Sequence, residues 1–172
     1  MPEIKEGMLV FLFPGGWDAG KYDAWAFYLR RFQKICGGAK AVDIVAVSPG
    51  PQRELWLIEV KDYRIHRRTK ALDLPLEVAL KVRDTLAGLA AAGFQADDEM
   101  ERKLAARGLG ANHLRIVLHL EQPAKHSKLF PRAIDPAKVL QKLKALLKAV
   151  DPHPMVIDGS ECGRRVQWRV AG

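Results

Sequence analysis

Two acids and a lysine stand inside apolar sequence. Asp43 interrupts the run Ala41–Val47 (AVDIVAV), and Glu59 and Lys61 close the run that begins Leu55-Trp-Leu-Ile. Both runs are too hydrophobic to face water. The turn cluster Ser48-Pro-Gly-Pro-Gln-Arg-Glu54 separates them, so the pair reads as an antiparallel hairpin. A hairpin centred near Pro51 sets Asp43 opposite Glu59, where opposed Cβ atoms lie about 4.5–5.5 Å apart. Strand side chains alternate faces, so Lys61 projects to the same side as Glu59. Two carboxylates and an ammonium therefore converge. A buried charge is costly unless it is paired or binds a metal, so the group is either an ion pair stitching two strands or the beginning of a site. The E-x-K spacing recurs at Glu3-Ile-Lys5 and Glu101-Arg-Lys103. Only the copy at Glu59 lies in an apolar strand opposite another acid.

The elements that must hold these groups follow from periodicity. Met8 to Phe13 reads as a strand. Tyr22, Trp25, Ala26, Leu29, Phe32 and Cys36 recur at helical spacing between Asp18 and Cys36, with Gly37-Gly38 as the stop. Leu74 to Ala92 predicts a helix with an apolar stripe of Val78, Ala79, Val82, Leu86, Leu89 and Ala90. Asp97 to Arg107 predicts a shorter charged helix, and His113 to Leu120 a strand. Asp135-Pro136 starts a helix, with a capping acid and proline at the first helical position, that runs to about Val150. Met155–Ile157 and Arg165–Val170 read as strands, the second at a sheet edge. The order predicts an α/β fold, a mixed central β-sheet flanked by helices, in one domain over residues 1–172.

The hairpin with Asp43, then Glu59-Val60-Lys61, resembles the PD-(D/E)xK nuclease superfamily. The resemblance covers roughly Tyr22 to Lys81 and implies a restriction-endonuclease-like αβββαβ core. It implies that Asp43 and Glu59 hold Mg²⁺ or Mn²⁺ and that Lys61 positions the attacking water or stabilises the phosphorane. Those ions take hard oxygen ligands and polarise phosphoryl oxygens, and a lysine suits developing negative charge. Val42 stands where many members have proline. The helix-borne acid of the family has its nearest counterpart in Asp23. The resulting expectation is a metal-dependent nuclease hydrolysing phosphodiester bonds in DNA, with RNA the second choice. Its cleavage would be structure-selective, as in repair or junction resolution, by a homodimer or a subunit of a larger complex. The rival from another class is a non-catalytic nucleic-acid-binding module that kept the fold.

Charge points the same way. Lys plus Arg number 28 against 20 Asp plus Glu, a net +8, and a pI near 9.7 is an electrostatic footprint of nucleic-acid binding. Arg64, His66, Arg67, Arg68 and Lys70 follow the hairpin directly and would track phosphates. Lys125, His126, Lys128 and Arg132 make a second basic loop, and Lys138, Lys142, Lys144 and Lys148 a basic helix face. Gly15-Gly-Trp-Asp-Ala-Gly20-Lys21 fits G-x-x-x-x-G-K, but Tyr22 replaces the Mg²⁺-ligating hydroxyl residue, so a capping turn is the better reading. No apolar run reaches the roughly 20 residues of a membrane helix, and Cys36 and Cys162 show no metal-ligand spacing. A cytoplasmic protein without a membrane partner is expected.

Overall fold

The computed structural model describes residues 1–123 and 134–172. Two sheets and three helices build it. The strands are β1 (Glu3–Glu6), β2 (Leu9–Leu12), β3 (Asp18–Lys21), β4 (Ile44–Val47), β5 (Glu54–Asp62), β6 (His113–Glu121), β7 (Met155–Ile157) and β8 (Arg169–Ala171). The helices are α1 (Leu74–Gln95), α2 (Glu99–Leu109) and α3 (Pro136–Leu147). A five-stranded mixed sheet, ordered β3-β4-β5-β6-β7, forms the centre. β3, β4 and β5 run antiparallel in turn, and β6 and β7 are parallel to β5. The chain thus has the α/β fold with a helix-flanked mixed sheet.

The pleat divides the core in two. Val45, Val47, Leu55, Leu57, Ile116 and Leu118 face the helices, beneath Val78, Val82 and Leu89 of α1, Ala105 of α2 and Leu143 of α3. Ile44, Ala46, Trp56, Ile58 and Val117 face the other way, onto Leu9 and Phe11 of a small sheet ordered β1-β2-β8 and onto Phe13 and Trp168, which flank its strands. Burial on both faces explains why β4 and β5 read as continuous apolar runs rather than alternating ones. The last strand is the edge of this second sheet.

The expected helix from Asp18 to Cys36 does not form. Asp18–Lys21 is the edge strand β3, and short irregular turns follow at Tyr22–Ala24, Tyr28–Phe32 and Ile35–Gly37. Trp25 is extended, and Cys36 adopts φ +48°, so no regular helix crosses them. Ring packing outweighs periodicity here: Tyr22 lies 5.0 Å from Trp25 and 5.5 Å from Tyr28, centroid to centroid. The Glu101 carboxylate on α2 accepts from the N–H groups of Ala26 (2.6 Å) and Phe27 (3.0 Å), fixing the break. The phosphate-loop pattern is excluded by the same finding. Its Lys21 lies in a strand opposite Ile44 and reaches Glu6 at 2.6 Å.

Candidate carboxylate–lysine site

Ile44 pairs with Ile58 across the hairpin, so one further step along the ladder sets Asp43 beside Glu59. α1 fixes the approach to β4. Its Thr85 hydroxyl accepts from Val42 N–H at 3.0 Å, and Asp84 accepts from Lys40 N–H at 2.8 Å. Asp43 Oδ2 accepts from the backbone N–H of Val60 at 2.6 Å, which locks one oxygen. Glu59 is 1% exposed. Its Oε1 is shared by Lys61 at 2.6 Å and Lys81 of α1 at 2.5 Å, while Oε2 is buried without a hydrogen-bond partner among the described residues. Lys81 also lies 3.9 Å from Asp43.

Burial, reinforced by the Asp43 charge, pushes the Glu59 carboxyl up to about 7 against the pull of Lys81 and Lys61. For Lys61, burial acts to lower the pKa, but the charge and hydrogen bond of Glu59, then Asp43 and Glu77, hold it above the ordinary lysine range. The ammonium therefore stays charged at neutral pH.

A second carboxylate group forms around Asp43. Ligand oxygens of Glu6, Asp23 and Asp43 all lie within 4.8 Å of one another. The small sheet supplies Glu6 from the end of β1, and the turn after β3 supplies Asp23. Burial, then the Asp43 charge, pushes Asp23 up to about 6, and its Oδ1 is buried without a hydrogen-bond partner among the described residues. Three hard carboxylates with an orphaned oxygen fit Mg²⁺ or Mn²⁺. The structure thus groups Asp43 with Asp23 and Glu6, whereas the hairpin alone pointed to Asp43 with Glu59. Glu59 is pinned by two lysines because α1 places Lys81 directly over it. Glu6 and Lys81 were missed. Lys81 had a signal, since Glu77, Lys81 and Thr85 repeat every four residues beside the apolar stripe. Glu6 had none, because it arrives from another sheet.

The basic run after the hairpin is largely committed to internal partners. Arg64 forks onto Asp62, with its Nη2 at 2.7 Å. Arg68 and Lys70 converge on buried Glu77 of α1 at 2.8 and 2.6 Å, and Lys61 approaches the same carboxylate at 3.7 Å. Burial raises Glu77, but the hydrogen bonds of Lys70 and Arg68 outweigh it and hold the acid at about 2. His66 and Arg67 are exposed. Lys125 and Lys128 lie outside the described residues. The exposed lysines of α3 remain, of which Lys142 meets Asp73 at 3.1 Å.

Chemically, the site can gather a divalent cation beside a fixed ammonium pair and so meet an anionic group such as a phosphate. No helix of the described residues is long and apolar enough to cross a membrane.

No protein-family model matches the chain, and no solved structure matches it. The sequence is similar to a cysteine–tRNA ligase of Neisseria meningitidis serogroup A, 35% identical over 82% of this chain. The match spans 24% of that ligase, so the chain corresponds to about a quarter of its relative's length. This overturns the expectation of a DNA-hydrolysing nuclease and of DNA as the partner. The relative is a ligase named for tRNA, and the cations expected to track DNA are in large part held by Asp62 and Glu77.

Proposed function

We propose that the chain is a tRNA-engaging domain related to a segment of cysteine–tRNA ligase, serving an enzyme that acts on tRNA. The observation that carries this is the 35% identity over 82% of the chain. The net charge of +8 supports it, because phosphate neutralisation supplies most of the affinity in sequence-independent nucleic-acid binding. The endonuclease-like core is proposed as scaffold alone: the β4–β5 hairpin, the helices on its face and parallel β6 support that architecture.

Within this reading, Asp43, Asp23 and Glu6 would hold Mg²⁺ or Mn²⁺, which supplies a Lewis-acidic charge for a phosphate oxygen. Lys61 and Lys81 neutralise Glu59 and keep the floor of the site from repelling an anion. Val60 N–H orients Asp43, and Thr85 with Asp84 holds the strand that carries it.

The test is binding of the purified protein to a tRNA and to a DNA duplex of equal length, at one stated salt concentration with Mg²⁺ present. The tRNA is expected to bind about tenfold more tightly or better, since shape and 2′-hydroxyl contacts tell RNA from DNA. Equal affinity, or preference for DNA, overturns the proposal.

A further inference from the structure

The parallel run of β5, β6 and β7 has two ends, and the carboxylate–lysine site occupies only one. At the other end, where these strands begin, lies a cleft of about 650 Å³. Glu54 opens β5, Arg115 lies near the start of β6, and Met155 opens β7. α3 adds Lys144, and the segment between β7 and β8 adds Arg164 and Arg165.

Its charge is one-sided. Lys144, Arg115, Arg164, Arg165 and His153 line it against one acid, Glu54, and Glu54 is already engaged by Arg115 at 3.1 Å. Arg165 reaches Glu161 at 2.7 Å, and Arg164 donates to the Ser160 carbonyl at 2.8 Å, which braces both guanidinium groups. Lys144 and His153 have no side-chain partner among the described residues. Apart from Gln167 and Gly163, the remaining lining is apolar: Trp56, Leu140, Pro154, Met155 and Val166. The Trp56 indole N–H is buried without an acceptor among the described residues. Volume, a cationic rim and an apolar floor match a pocket for a small polar-headed ligand.

We propose that this cleft is a subsite for an unpaired nucleotide of the tRNA, its phosphate met by Lys144, Arg164 and Arg115 and its base laid on the apolar floor. The proposal rests on the tRNA reading above. A concavity suits a splayed nucleotide, since unstacked bases are what proteins read in RNA, whereas the duplex presents a wide, shallow groove that no cleft receives. The subsite lies at the opposite end of the strands from Lys61, so one RNA molecule would bridge the two ends.

The experiment compares the parent protein with Lys144→Glu/Arg164→Glu and with a control, Lys34→Glu/Lys103→Glu, that reverses as much charge elsewhere. Lys34, Lys103 and Lys144 are exposed, and circular dichroism checks that each variant folds. The probes are an intact tRNA and a single-stranded uridine hexamer. With two phosphate contacts removed, tRNA affinity should fall roughly tenfold and the log–log salt slope should flatten by about 1.4–1.8. The control should bind within about twofold of the parent, and hexamer binding should disappear in the cleft variant alone. If the parent binds tRNA and the cleft variant binds both probes like the control, the subsite is overturned while the tRNA reading stands. If the parent binds no tRNA, the reading falls and the subsite with it.

Discussion

Asp23 and Glu59 are carboxyls that folding makes harder to ionise. Burial, with Asp43 nearby, lifts Asp23 to about 6 and Glu59 to about 7. An acid raised on folding stabilises the protein at low pH, and that contribution is lost as pH rises through the raised value. The acids held low, Glu77 at about 2 and Asp62 and Glu121 below their ordinary range, have the opposite sign. Their contribution is complete above the ordinary carboxylate range, so the raised pair decides the trend from pH 5 to 8. Without divalent cation, stability should therefore decline across that interval. Asp23→Asn should flatten the decline by about 1–2 kcal/mol, after discounting for its partial exposure. Mn²⁺ should reverse it, since a ligand at a hundred times its dissociation constant adds about 2.7 kcal/mol. Melting temperatures at pH 5 and 8, with and without Mn²⁺, check both effects. A Mn²⁺ shift that survives in Asp43→Asn would remove that residue from the cation site.

At the scale of elements, helix α1 does more than cover the sheet. It carries Lys81 and Glu77 into the site and leaves a gap at Gly88 for the ring of Tyr22. A Cβ built at Gly88 would stand 1.9 Å from the Tyr22 hydroxyl and 3.1 Å from Phe32 Cε1. That hydroxyl is buried without a hydrogen-bond partner among the described residues. Gly88→Ala should therefore destabilise the fold by about 1–3 kcal/mol through overpacking, despite alanine's better helix propensity. Tyr22→Phe should cost little alone, because it removes an unsatisfied polar atom, and it should recover part of the Gly88→Ala loss. Denaturant midpoints of the two single variants and the double variant measure this coupling, and strictly additive effects would reject it. The hairpin and α1 were legible because two continuous apolar runs, the turn chemistry between them and a long 3.6-residue stripe all agreed. The segment after Asp18 was not. Its aromatic residues keep helical spacing, but ring packing and the Glu101 cap on α2 break the chain, and neither can be read locally. Strand β1, short and half-exposed, also left no pattern, and with it went Glu6.

Across the whole molecule, net charge and usable charge part company. The +8 balance was plain in the sequence, but which cations remain available depended on tertiary partners. Arg64 to Lys70 looked like the phosphate track because Glu77, which answers Arg68 and Lys70, meets the loop only once α1 packs beside it. Glu77 is 2% exposed and fastens the loop after β5 to α1. Breaking a buried pair leaves uncompensated charge and is costly, so Arg68→Ala should lower stability by about 2–3 kcal/mol. It should leave tRNA affinity within about twofold once the protein is folded. Lys138 of α3 and Lys148 just after it are exposed without side-chain partners among the described residues, and the opposite is expected of them. Their joint replacement by Ala should leave the melting temperature unchanged. It should also flatten the salt dependence of tRNA binding by about 1.4–1.8 on a log–log plot. Salt titrations of tRNA binding beside thermal melts for both variants separate the two roles. A flattened slope in Arg68→Ala at unchanged stability would return the RNA surface to the loop after the hairpin.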